Sequence, residues 1–283
     1  MRKHLGQIAL DIDGTITDAT HHAPEEVVHF LHSLEEKGWE ITFITGRTFA
    51  FASRVVGKFD FPFYLAVQNG ADILLMPEKK RVVRHYLDEK ALAILQQAYE
   101  GEQEDFLIYA GYEQGDFCYF RPERFSVKMR AHLRKIMALS PEPWKEVESF
   151  DFKQGLAFPL AKCLGTKESM QRVCKRLQMH PELSATLIRD PLAADEDAVY
   201  LILVTGARAT KGEALNSVKE LTGGGGVTIA AGDDLNDVSM LEVADIKIVM
   251  ASAPSEMLPM ATLVAEHGQQ HGIITALNKA ILT

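Results

Sequence analysis

Asp11-Ile12-Asp13-Gly14-Thr15 closes a short apolar run, Ile8-Ala9-Leu10, with two carboxylates at i and i+2. A glycine and a hydroxyl residue follow and permit a sharp turn. Side chains two apart in a strand leave on the same face. Where that strand ends and the chain curls, both carboxylates can be presented to one ligand. Paired acids so placed can hold a divalent cation, attack an electrophile and move a proton. The same string also builds solvated turns and calcium loops, so its meaning depends on what matches it downstream.

Three further groups stand at expected strand ends or helix starts. Thr45-Gly46-Arg47 follows the strand pattern Ile41 to Ile44. A hydroxyl followed by glycine offers Oγ–H and backbone N–H to an anionic oxygen, or simply makes a strand-to-helix turn. Lys211, in Ala209-Thr210-Lys211-Gly212, falls just inside an expected helix, where its charge opposes the positive end of the dipole. An anion held jointly by the lysine and the helix terminus resolves that conflict. The plainer reading is one solvated lysine among 30 Lys and Arg residues. Gly232-Asp233-Asp234-Leu235-Asn236-Asp237 places acids and an amide at a strand-to-helix junction, as ligands or as an N-cap.

Taken in this order, the four groups resemble the motifs of the haloacid dehalogenase (HAD) superfamily. Gln68-Asn69-Gly70-Ala71 and the long stretch before Lys211 resemble its Cof-type branch. That resemblance implies an α/β fold: a Rossmannoid parallel-sheet core with helices on both faces, plus an inserted α+β cap domain. It implies a phosphatase acting on a sugar phosphate or similar small phosphorylated metabolite. Asp11 would attack phosphorus, and Asp13 would protonate the leaving alkoxide and later deprotonate water. Mg2+ would be held by Asp11, the backbone carbonyl of Asp13, and Asp233. Ile12, Thr45, Gly46, Lys211 and Asn236 would surround the transferring phosphoryl group, with Lys211 counted as catalytic alongside the two acids. Asp237 would orient Lys211 or a metal-bound water, and Asp234 would be a solvated helix-start residue. One loop departs from the pattern: Met250-Ala251-Ser252-Ala253-Pro254 stands where relatives often carry Gly-Asn-Ala.

The elements that must position these groups are legible as periodicities. Strands are expected at Ile8 to Ile12, Glu40 to Thr45 and Tyr64 to Val67. Between them a helix carries Val27, Val28, Leu31 and Leu34 from Pro24 to Gly38, and another spans 48–58. A hairpin is expected across Pro77-Glu78-Lys79-Lys80. Helices at 88–99, 125–138 and 166–179 then alternate with strands near 106–110, 117–120, 160–164, 186–189 and 199–204. Pro141-Glu142-Pro143-Trp144 reads as a connection. Alternation resumes with helix 211–221, strand Val227 to Ala231, helix 236–243, strands 246–250 and 262–265, and helix 272–282. The expected division is therefore a core of 1–83 with 207–283 and an inserted cap of 84–206.

Bulk properties exclude several classes. The 283-residue chain carries a net charge of −9, so no overall basic character favours nucleic acid or an anionic membrane. No run reaches the roughly 18 apolar residues of a spanning helix. Its three cysteines, Cys118, Cys163 and Cys174, form no CxxC pair or disulfide framework, so a cytoplasmic setting is expected. His21-His22 lies in a polar loop without ligand partners, and the aromatic residues Tyr109, Tyr112, Phe117, Tyr119 and Phe120 read as packing before they read as a pocket. Two other functions use the same motifs: a phosphomutase that returns phosphate to a sugar, and a non-catalytic phospholigand-binding protein. No single pattern in the chain selects the substrate or the oligomeric state.

Overall fold

A computed structural model describes residues 5–18, 21–150, 157–190, 199–266 and 272–282. The chain opens with β1 (Gly6–Leu10), α1 (Glu25–Glu36), β2 (Trp39–Ile44), α2 (Phe49–Val56), β3 (Phe63–Val67), β4 (Asp72–Met76) and β5 (Lys80–Arg84). A second series follows: α3 (Glu89–Ala98), β6 (Phe106–Tyr109), β7 (Cys118–Phe120), α4 (Val127–Leu139), β8 (Trp144–Glu146), β9 (Leu160–Gly165), α5 (Lys167–Leu177), β10 (Leu183–Arg189) and β11 (Tyr200–Gly206). The chain ends with α6 (Lys211–Thr222), β12 (Val227–Gly232), α7 (Val238–Val243), β13 (Ile246–Met250), β14 (Leu263–Ala265) and α8 (Gly272–Ile281).

Two compact units result. The first is Met1–Arg47, Ala52–Arg84 and Thr210–Thr283; the second is Thr48–Phe51 with His85–Ala209. Against the division expected at 83/84 and 206/207, the joins fall at Arg84/His85 and Ala209/Thr210, and the short segment Thr48–Phe51 groups with the second unit.

The first unit is α/β. Its eight-stranded sheet runs β14-β13-β12-β1-β2-β3-β4-β5, parallel from β14 to β3 and closed by the antiparallel β4–β5 hairpin. Ala9, Ile44, Ala66 and Ala230 pack with Ala214, Leu215 and Val218 of α6 and with Met240 and Leu241 of α7. Strand alternation sends Ile8, Leu10, Ile41 and Phe43 to the opposite face. There α1 lies against β2, α8 against β14, and the two helices touch. Phe43, Phe59, Phe61 and Phe63 form an aromatic cluster within this unit, edge-to-face except for the tilted Phe43–Phe59 pair. Near-continuous burial along β1 and β2 follows from helices covering both faces.

The second unit is α+β. Its six-stranded sheet has the order β10-β11-β9-β6-β7-β8, antiparallel except where β8 runs parallel to β7. One face packs under α3 and α5 through Leu95, Phe106, Cys163, Val173 and Ile202. The other gathers Leu107, Tyr109, Phe120 and Leu203 with Met129 and Leu133 of α4. Tyr109 and Phe120 are thus core residues, whereas Phe117 and Tyr119 are half-buried. The stretch read as a Pro-rich connection supplies β8, whose Trp144 stands opposite Cys118.

Candidate active site

The core sheet has one point where its winding reverses. From β1 the chain passes to β2 and β3 on one side, and later fills β12, β13 and β14 on the other. Open parallel sheets form a ligand crevice at such a point, beyond the C-terminal ends of the strands. Asp11 directly follows β1 and Asp233 directly follows β12, the two strands that flank it. The parallel ladder fixes their proximity: Leu10 stands opposite Ala231, and the Asp11 N–H donates to the Ala231 carbonyl at 3.0 Å.

β1 stops at Leu10 rather than at Ile12, so neither Asp11 nor Asp13 lies within the strand. Ile12 anchors the curl that follows, its carbonyl accepting from the N–H groups of Ile16 and Thr17 and from the Thr17 hydroxyl. Gly14 has φ +72°, and a Cβ there would lie 2.1 Å from Asp233 Oδ2. Only glycine lets the two motif loops approach this closely.

Lys211 is the first residue of α6. Thr210 caps that helix, accepting from the Glu213 N–H, and Gly212 packs against the Ser239 backbone with no space for a side chain. The lysine is only 2 % exposed, and its ammonium donates to Asp11 Oδ1 and to Asp237 Oδ1, each at 2.5 Å. The other Asp237 oxygen accepts from the N–H groups of Asp233 and Asp234 at 3.0 and 3.1 Å. Asp234 closes a capping box with Asp237. Asp237 thereby ties the lysine to the loop that carries Asp233.

Three carboxylates, those of Asp11, Asp233 and Asp237, bring ligand atoms within 4.8 Å of one another. Burial raises the Asp11 carboxyl well above the usual range; Lys211 opposes this, while Asp237, Asp233 and Asp13 add to it. Asp233 is pushed up to about 7 by burial and by repulsion from Asp237, against the pull of Lys211. Burial works against the Lys211 charge, yet Asp11 and Asp237 outweigh it and hold the ammonium above its ordinary value. One buried cation thus serves three crowded acids. A hard divalent cation with oxygen ligands fits this donor set, since it would offset the burial and the mutual repulsion that raise Asp11 and Asp233. Asp237 is engaged on both oxygens, which leaves Asp11 and Asp233 as the better side-chain ligands.

The second motif closes the group. Thr45 is buried, and its hydroxyl oxygen accepts from the Arg47 N–H at 3.1 Å. Gly46 lies between them, half-buried. The Asp13 carboxyl does not join the carboxylate cluster but is taken by the Arg47 guanidinium, with Nε donating to Oδ2 at 2.7 Å and Nη2 to Oδ1. The two acids of the first motif therefore diverge, one toward Lys211 and one toward Arg47.

Asn236 sits in the turn beside Asp237, but its side chain makes no bond to Asp11, Lys211 or Asp237. His21 comes within 3.8 Å of Asp13 Oδ1 while three-quarters exposed, and the His22 N–H donates to Asp18; neither joins the carboxylate cluster. All three cysteines are buried free thiols, and burial pushes Cys118 and Cys163 far above the range of a reactive thiolate. In the sequence Arg47 stands out only as part of the motif Thr45-Gly46-Arg47. Its partnership with Asp13 spans 34 positions and has no local signature.

The family model described as "haloacid dehalogenase-like hydrolase" matches residues 8–277. A putative phosphatase, YxeH of Bacillus subtilis, is 23 % identical over 287 residues, covering 97 % of this chain and 98 % of that protein. Among solved structures, the phosphatase BT1666 of Bacteroides thetaiotaomicron is similar at a TM-score of 0.77 and 20 % identity, over 98 % of this chain and 96 % of its own. A subclass IIB sugar phosphatase of the HAD superfamily, BT4131, is similar at 0.73 and 19 % identity, over 97 % of this chain and 99 % of its own.

Proposed function

This chain belongs to the haloacid dehalogenase-like hydrolases, and we propose that within them it is a magnesium-dependent phosphatase that hydrolyses a small phosphorylated metabolite through an aspartyl-phosphate. The sugar phosphatase similar to it in fold points to a sugar phosphate or a comparable monoester as substrate. The observation that carries the reading is the contact of Lys211 Nζ with Asp11 Oδ1 at 2.5 Å, beside Asp233 at the strand-end crevice.

In this reading Asp11 attacks phosphorus, and the bond from phosphorus to the ester oxygen breaks. Asp13 takes a proton from solvent on one oxygen, releasing one of its two Arg47 N–H bonds, and gives that proton to the departing alkoxide, so an alcohol leaves. Asp13 then takes a proton from water, whose oxygen attacks the phosphorus and releases the Asp11 carboxylate and inorganic phosphate. Lys211, the Thr45 hydroxyl and the Gly46 N–H bind the phosphoryl oxygens, with Ile12 and Asn236 at the margin of the same site. Such fixed donors are the main thing a protein can contribute to phosphoryl transfer. Magnesium, held by Asp11, Asp233 and the Asp13 carbonyl, supplies charge neutralisation at those oxygens. The second unit acts as the cap that selects the substrate. Buried free thiols fit a reducing compartment, and the cytoplasm is the proposed location.

The test is phosphate release from a panel of sugar phosphates, nucleotides and cofactor phosphates, with magnesium and with chelator. Release that depends on magnesium and disappears in Asp11→Asn supports the reading. Release that survives either treatment contradicts it.

A further inference from the structure

Arg47 has no part in the scheme above, although its side chain is anchored more heavily than any other that touches Asp13. The guanidinium is only 6 % exposed and forks onto both oxygens of a carboxyl that is 47 % exposed. Its backbone is fixed on both sides: the N–H donates to Thr45 Oγ1 at 3.1 Å, and the carbonyl accepts from the Gln68 N–H at 2.8 Å. Asn69 N–H donates to the Thr45 carbonyl at 2.9 Å. These two donors reach back because Gln68, Asn69 and Gly70 take successive φ values of +52°, +59° and +95°. Such a left-handed run is strained for the two non-glycine residues. The turn is wedged against α6, where a Cβ on Gly70 would lie 2.6 Å from the Ala214 Cβ.

From this geometry we propose that Arg47 is a positioning residue for Asp13, and that the Gln68-Asn69-Gly70 turn exists to hold Arg47 in place. A half-exposed aspartate samples several rotamers, whereas a general acid must stand within hydrogen-bond reach of one leaving oxygen. Two parallel N–H bonds from a rigid fork fix both the position and the plane of the carboxyl; an ammonium at the same place would fix position alone. The role is indirect, because Nε and Nη2 both donate to Asp13. When one Asp13 oxygen takes up the proton it will deliver, the other keeps its N–H bond and with it the position of the carboxyl.

The proposal rests on the phosphatase reading, and leaving-group dependence separates the two. An alkyl phosphate needs a proton delivered to its leaving oxygen, while p-nitrophenyl phosphate departs as a stable phenolate and barely needs one. The rate of leaving-group release within the first turnover is compared for wild type, Arg47→Lys and Arg47→Met. Arg47→Met is expected to lose about 10²-fold on the alkyl phosphate and less than about threefold on the aryl one, in line with the worth of a positioned general acid. KM is expected to stay within about twofold, and Arg47→Lys to recover part of the alkyl rate. In an Asp13→Asn background, Arg47→Met should cause no further loss, since it acts only through Asp13. Equal loss on both substrates, a raised KM at unchanged kcat, or an additive loss in the Asp13→Asn background would each overturn the positioning role. If Arg47→Met does not fold, Arg47→Lys carries the same comparison. A folded wild type that turns over neither substrate class overturns the phosphatase reading, and the role of Arg47 with it.

Discussion

Asp237 holds Lys211 from below: one carboxylate oxygen lies 2.5 Å from the ammonium, and the other accepts two backbone N–H groups of the loop that carries Asp233. The residue is fully buried and makes no contact that a substrate could use directly. Asp237→Asn keeps the shape but removes the charge opposite Lys211 and weakens both N–H bonds. Supporting groups of this kind are worth about 10- to 100-fold. Steady-state kinetics should show kcat falling by about that factor, with weaker inhibition by inorganic phosphate. A variant with unchanged kcat would remove Asp237 from the site.

Gly14 sets how closely the first and fourth motifs approach. An alanine there would bring its Cβ to 2.1 Å from Asp233 Oδ2, at a φ of +72° that L residues avoid. Gly14→Ala is expected to leave far-ultraviolet circular dichroism intact while magnesium affinity, measured by calorimetry, falls at least about tenfold. Wild-type affinity would show that Asp233 is no ligand.

Asp233 carries a pH signature. Its folded pKa of about 7 lies above the ordinary 3.8, so the folded protein keeps a proton that the unfolded chain loses. The metal-free protein therefore loses stability as pH rises from about 4 to about 7, because more protons are bound in the native state across that window. The melting temperature of Asp233→Asn should fall less over the same range, and should exceed that of wild type at pH 8 without metal. Magnesium should stabilise wild type more above pH 7 than at pH 5. Parallel curves for the two proteins would refute the assignment.

In the second unit, Arg121 and Asp105 form a buried two-bond pair at 2.7 and 2.8 Å, with the guanidinium 4.3 Å from the Phe150 ring centroid. Asp105→Ala leaves a buried guanidinium without its counter-ion, which costs about 3–5 kcal/mol. Urea unfolding should report that loss, and a change below about 1 kcal/mol would contradict it.

Much of the fold was legible because its signals are local. Pro24 and Gly38 bracket α1, Thr210 and Gly223 bracket α6, and the β13 bounds agree to the residue. β8 was not legible: Pro141 and Pro143 outweigh three residues whose pairing with β7 depends on tertiary context. The helix expected at 236–243 begins as a tight turn, because Asp234 and Asp237 cap each other there before α7 starts at Val238. At the candidate site the residues themselves were legible, since each follows a strand or opens a helix. Their partnerships were not. Asp11 and Asp13 read as a pair on one face, yet β1 ends before them and the curl sends them to different cations. Lys211 reaches Asp11 across 200 positions, a distance no local pattern records.

The central claim is that Asp11 carries the phosphoryl group. Wild-type protein, mixed with magnesium and a phosphate-labelled substrate and quenched in acid within one turnover, should retain covalent label on the peptide containing Asp11. Borohydride reduction should convert that residue to homoserine, and Asp11→Asn should retain none. Wild type that turns over without ever holding label, or Asp11→Asn that still releases phosphate, would contradict the claim.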